Sequence, residues 1–166
     1  MSKDRGREKE SMAVSEQGSW DDFVADLSRL AVRFDAETYL YDDLVVMSSR
    51  SHLPGHKVGS IRISRVDDEA ARVEAGWSLD MFVDYIAEDT SRSVPALGLV
   101  EAICSGNAAE HCLIDGEGRW VGVLLEAWDQ EGRRWQAGCL DSQETRATRR
   151  FPSWLGPVAE ATGNPE

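Results

Sequence analysis

Two acidic, glycine-bearing turns constrain this chain more than any other feature. Asp115-Gly116-Glu117-Gly118 and Asp129-Gln130-Glu131-Gly132 separate three runs rich in apolar and aromatic residues, 111–114, 119–128 and 133–140. Runs of this length joined by Asp/Gly turns pair as neighbouring antiparallel strands, so the C-terminal half reads as a three-stranded meander. The first turn lacks the G-x-G-x-x-G spacing and is followed by a strand rather than a helix N-terminus, so it is a hairpin turn and not a phosphate cradle.

Upstream, Ser19-Trp20-Asp21-Asp22 has the form of a capping box with Asp in place of Glu. Trp20, Phe23, Val24, Leu27, Leu30, Ala31 and Phe34 follow at helical spacing, with Asp21, Asp22 and Asp26 early and Arg29 and Arg33 late. That order complements the helix dipole and predicts a helix over 20–34. Apolar and aromatic residues on either side of Asp42-Asp43 predict a hairpin. Alternation at Ile61/Ile63 and at Val73/Ala75/Trp77, either side of the 67–69 turn, predicts a second one. Ser78 reads as the cap of a second helix whose apolar face holds Leu79, Phe82 and Ile86. Pro95 opens a third that stops at Gly106. Elements grouped in this way predict an α+β fold: an antiparallel sheet of about six to seven strands with about three helices. Residues 1–18 read as a disordered tail, with Met12 an alternative start, 19–158 as a single domain, and 159–166 as a frayed end.

Composition narrows the function classes. In 166 residues, 30 acidic against 18 basic side chains leave a formal net charge of −12. Such a surface repels nucleic acid and anionic membranes and attracts basic partners. Arginine outnumbers lysine, as expected of a GC-rich bacterial genome. The N-terminus has no apolar segment of the kind a secretory signal needs, and no apolar run reaches the roughly 18 residues of a membrane span. Three cysteines (Cys104, Cys112 and Cys139), with no C-x-x-C, fit reduced thiols, so the expected compartment is the cytoplasm.

Candidate sites are few. On the predicted second helix Asp80, Asp84 and Glu88 recur every four residues and would form one acidic ridge, extended by Asp67, Asp68 and Glu69. This ridge is the expected partner-binding surface. His52 and His56 are four apart, but Pro54 and Gly55 between them forbid a regular helix turn, so no metal site is expected. His111 and Cys112 are adjacent on a predicted strand and so face opposite ways. Arg133, Arg134, Arg146, Arg149 and Arg150 gather near Trp135, Phe151 and Trp154, where they can pair with the chain's own carboxylates or stack on the indoles.

No catalytic, nucleotide or metal motif is present, and no cofactor is expected. The reading that follows is a small acidic module that neutralises, chaperones or inhibits a basic macromolecular partner, as immunity-like proteins do. The alternatives are a small-molecule-binding domain or enzyme, with a pocket between sheet and helices drawn from Trp77, Trp120, Trp128 and Trp135, or a nucleic-acid mimic.

Overall fold

The computed structural model describes residues 19–51, 59–76, 79–85, 95–137 and 144–156. Helix α1 (Trp20–Arg33) opens the fold. Its capping box forms as the sequence implies: the Asp22 amide donates to Ser19 Oγ at 3.2 Å, and the Ser19 amide donates to Asp22 Oδ2 at 3.0 Å. Trp20, Phe23, Leu27, Leu30 and Ala31 make its buried stripe. Five strands follow as an antiparallel meander in the order β1-β2-β3-β4-β5: β1 (Ala36–Tyr41), β2 (Leu44–Ser49), β3 (Ser60–Arg65), β4 (Ala70–Ala75) and β5 (Leu79–Asp84). Helix α2 (Ala96–Ser105) leads into a second antiparallel sheet, built from β6 (Ala108–Ile114), β7 (Trp120–Trp128), β8 (Arg134–Ala137) and β9 (Glu144–Arg150) in the order β8-β7-β6-β9.

The α+β class holds, with different counts. Among the described residues there are two helices and nine strands, in two sheets rather than one. Residues 79–84 form a strand, not the expected helix. Leu79, Met81 and Val83 point inward opposite Ala75, Val73 and Ala71, while Phe82 is 69% exposed. A short run with apolar residues at both two- and three-residue spacing satisfies either period, and the free edge of β4 decides between them. Strand β9 leaves no apolar stripe in the sequence: residues 147–150 are exposed, and the strand exists by pairing with β6.

Side chains that face one another across the first sheet alternate strictly. Val45, Ile63, Val73 and Met81 share an inner row, and Met47, Ile61 and Ala75 another. The buried members of these rows join α1, α2, Ala108, Leu125, Ala127, Phe151 and Trp154 in one hydrophobic cluster that spans both sheets.

The two meander turns share a detail beyond their glycines. In each, the Asp Oδ1 accepts two backbone N–H groups, from Glu117 and Arg119 in one and from Glu131 and Arg133 in the other, at 2.8–2.9 Å. The Oδ2 then takes the Arg Nε, at 2.9 Å for Arg119 and 2.6 Å for Arg133. The repeated Asp-x-Glu-Gly-Arg is therefore a self-contained turn whose glycine, Gly118 or Gly132, supplies the positive φ.

The segment after β9 closes the structure. Phe151 N–H donates to Ala108 O at 3.0 Å and Trp154 N–H to Cys104 O at 2.8 Å, while Ser51 Oγ donates to Trp154 O at 2.9 Å. Gly106 ends α2 at φ 78°, and a Cβ there would lie 2.9 Å from the Ser153 nitrogen. Gly118 has the same φ with nothing nearby. Gly118→Ala is therefore expected to lose only the left-handed penalty, about 1–2 kcal/mol. Gly106→Ala is expected to lose more, because it also pushes the closing segment off the helix end. Urea unfolding of the two variants checks this, and equal losses would show that the segment does not bear on Gly106.

Candidate functional site

The residues expected to form an acidic ridge divide into several environments. Asp67 turns the chain between β3 and β4, its Oδ1 accepting the Glu69 and Ala70 amides at 2.8 and 2.7 Å. Those two bonds hold its carboxyl below the usual aspartate range. Asp68 pairs with Arg65. Asp80 is gripped by Arg72 across the β4–β5 ladder, Nε to Oδ1 at 2.7 Å and Nη2 to Oδ2 at 2.6 Å, and this pairing lowers its pKa. The same guanidinium lies 3.8 Å from Glu74. Asp84 is half-buried at the end of β5, and Glu69 is exposed. Glu88 lies outside the described residues. With 79–84 extended, Asp80 and Asp84 still share a face, but as alternate residues of a strand with Phe82 between them.

That shared face is the outer surface of the five-stranded sheet. The register places Tyr41, Leu44, Ser64, Arg72 and Phe82 in one row across it, and Tyr39, Val46, Arg62, Glu74 and Asp80 in the next. Tyr41 is 62% exposed at one edge and Phe82 is more open still at the other. Charged side chains lie between these exposed rings.

The second sheet carries a polar network on its outer face. Glu126 Oε1 accepts from Arg134 at 3.3 Å and Gln136 at 3.4 Å, and Oε2 faces His111 Nε2 at 3.3 Å. A carboxylate only accepts, so a hydrogen bond here is donated by the Nε2–H of His111. Nδ1 shares a hydrogen bond with the Thr148 hydroxyl at 2.9 Å, and a hydroxyl can serve there as donor or acceptor. Arg150 stacks over Trp128 at 5.8 Å. Three arginines of the basic cluster are thus matched to the chain's own groups, Arg133 to Asp129, Arg134 to Glu126 and Arg150 to an indole.

A cleft of about 350 Å³ opens between α2 and the β7–β8 hairpin, with Trp128 and Trp135 in its lining. Of the other indoles considered for a pocket, Trp120 is exposed at the opposite end of β7 and Trp77 lies outside the described residues. Cys104 is fully buried, and burial pushes its thiol far above the usual range, which makes it a core side chain rather than a nucleophile. Cys112 is half-buried and also free, while Cys139, His52 and His56 lie outside the described residues. Among the described residues no three His, Cys, Asp or Glu side chains converge for a metal, and no helix is long and apolar enough to cross a membrane. Comparison with protein-family models, curated proteins and solved structures finds no match to this chain.

The turn carboxylates yield a pH prediction. Asp67 and Asp115 both have folded-state pKa values below the ordinary 3.8, first because backbone amides bond to the ionised form. Their stabilisation is fully present above that ordinary value and is lost as pH falls through the lower folded values. The double variant Asp67→Asn/Asp115→Asn keeps an acceptor in each turn but removes the titration. Its melting temperature is expected to fall less steeply than the parent's between about pH 5 and pH 2. Identical acid limbs would mean that these turns do not contribute to acid sensitivity.

Proposed function

We propose that this chain is a binding module that neutralises, chaperones or inhibits a basic protein partner through the outer face of its five-stranded sheet. The observation that carries the reading is the set of exposed rings on that face, Tyr39, Tyr41 and Phe82, on strands that also bear Asp80 and Asp84. Exposed aromatic side chains offer large contact area at small entropic cost and are enriched at interfaces. Arg72 lies against both Asp80 and Glu74, so this trio retains one negative charge. Long-range attraction of a basic partner then comes from the chain's total of −12 rather than from a dedicated acidic stripe.

The reading separates two effects. The rings supply short-range affinity and so act on the dissociation rate, whereas the net charge acts on the association rate and its salt dependence. Affinity capture with the tagged full chain from its native lysate, at low and high salt, is expected to yield a stoichiometric basic protein that high salt releases. Tyr41→Ser/Phe82→Ser is expected to lose it at low salt, where the parent chain holds it. Glu69→Lys/Asp84→Lys, which avoids the Arg72 pair, is expected to keep part of the capture at low salt and to release the partner at a lower salt concentration than the parent. Retention of the same protein by the ring variant would place the interface elsewhere. Capture of no basic protein would remove the reading.

A further inference from the structure

We infer that β1 is a docking edge for an extended basic peptide, which adds to the first sheet as a further strand and lays alternate side chains in the groove between β1 and α1. The inference does not rest on the outer-face reading, because it uses the backbone of the edge and the opposite side of the sheet. β1 stands first in the strand order, and among the described residues no strand pairs with its outer side. The Arg50 N–H donates to Asp35 O at 3.1 Å, which continues the β1–β2 register and makes 35, 37, 39 and 41 the positions bonded to β2. The N–H and C=O groups of Thr38 and Leu40 therefore aim away from β2. An antiparallel strand laid opposite them would exchange two backbone bonds at each. The other sheet ends are guarded against such pairing. β5 bridges to Pro95, β8 has only four residues, and β9 carries the exposed Arg149 and Arg150. Cover, shortness and charge are the usual ways a sheet discourages a further strand. β1 has six residues, and Glu37 is its single charge.

Beside this edge a groove of about 450 Å³ runs between Ser28, Ala31 and Val32 of α1 and Thr38 and Leu40 of β1. Val32 is 82% exposed and Leu40 56%, so the groove presents apolar side chains that the fold does not bury. Residues directly opposite on neighbouring strands share a face. The two partner residues opposite Leu40 and Thr38, two apart in the peptide, would therefore enter the groove, and apolar side chains suit both. The partner residue opposite Glu37 would emerge on the other face. Glu37 shares Arg50 with Asp35, at 3.4 and 3.6 Å, and Arg65 is divided between Asp43 and Asp68. With Asp42 also in the hairpin turn, the edge keeps an excess of negative charge, so the occupant it favours is basic. The same charge opposes a second copy. Antiparallel self-pairing centred on Tyr39 would set Asp35 of each copy opposite Asp43 of the other, between chains of −12 each.

The test uses the ¹⁵N-labelled full chain and the peptide Ac-Lys-Val-Thr-Val-Lys-Val-NH₂, whose first two valines fall opposite Leu40 and Thr38 and whose second lysine falls opposite Glu37. The controls are the same peptide N-methylated at those two valines, and the peptide with glutamate in place of both lysines. The basic peptide is expected to shift the Thr38 and Leu40 amide resonances saturably and to slow their hydrogen exchange. The N-methylated peptide keeps the charges and side chains but loses two strand N–H groups, and is expected to bind roughly tenfold more weakly or worse. The acidic peptide is expected not to bind. Thr38→Pro removes an N–H that takes no part in the β1–β2 ladder, and is expected to abolish binding while the rest of the spectrum stays in place. Val32→Lys, at an exposed position where lysine is the better helix former, is expected to weaken binding about fivefold. Phe82→Ser, on the outer face, is expected to leave peptide binding unchanged. Four results would each overturn the assignment: no shift from the basic peptide, equal binding of either control peptide, loss of binding in Phe82→Ser, or Thr38 and Leu40 amides whose exchange slows with chain concentration, as a self-paired edge would give.

Discussion

The four residues from Phe151 to Trp154 hold the two sheets to one core. Their backbone bonds to the first residue of β6 and to the end of α2, and they receive a hydroxyl from Ser51 beyond β2. Two glycines make room for them. Gly106 admits the Ser153 backbone, and Gly76, at φ 61° after β4, faces the Phe151 ring, whose Cζ would be 2.5 Å from a Cβ. Trp154 is fully buried. Among the described residues the five-stranded meander and the four-stranded sheet have no strand in common. What makes them cohere is apolar burial through α1 and α2, and this segment adds contacts to the residues that follow β2 and β4, to β6 and to the end of α2. Buried Glu110 lies in the same region, its Oε1 3.4 Å from the Gly76 Cβ position, so the junction includes a carboxyl as well as rings.

The chain carries its negative charge by neutralising it locally. Arg65, Arg72, Arg119, Arg133 and Arg134 each meet one or two carboxylates of neighbouring strands or of their own turn. Exposed pairs of this kind contribute little to stability individually. Their value here is geometric. A guanidinium bidentate to Asp80 sets the side chains of β4 and β5 relative to each other, and the Asp-x-Glu-Gly-Arg turns fix where each hairpin reverses. Lysine, with a single point charge, would not reproduce that fork, which gives the arginine-rich composition a structural use.

Legibility in the sequence followed how local the determining interaction is. The α1 cap, the β1–β2, β3–β4 and meander hairpins and the Gly106 stop depend on residues within a few positions of each other, and all were readable. The 79–84 segment was not, because Asp80 and Asp84 are four apart on either a helix or a strand, and only the partner strand β4 separates the cases. Strand β9 and the division into two sheets depend on pairing and packing between distant residues. The cleft beside α2 lies between these extremes. Trp135 follows a readable turn, but its approach to Gly98 crosses more than thirty residues of chain. A glycine three residues after Pro95, inside an otherwise apolar helix, was the available clue, since a helix keeps glycine where something else needs the space.

The distribution of the aromatic rings ties the fold to the proposed binding role. Trp20 and Trp154 are buried and serve the core. Trp20 meets Tyr85 edge-on at 5.3 Å and Phe23 at a tilt at 5.4 Å, while Phe23 stacks on Tyr85 at 5.2 Å, and the three rings join the start of α1 to the residue after β5. Trp128 and Trp135 are held where a helix meets a hairpin, at the junction of rigid elements rather than on a free loop. An aromatic surface held in that way loses little entropy when a partner covers it. The outer face of the first sheet meets the same condition by other means, since its rings stand on a ladder whose inner side is packed at β2, β3 and β4. In both places side chains that could have added to the core are kept partly open on a rigid frame, and that shared feature distinguishes these surfaces from the scattered exposed apolar residues any folded chain presents.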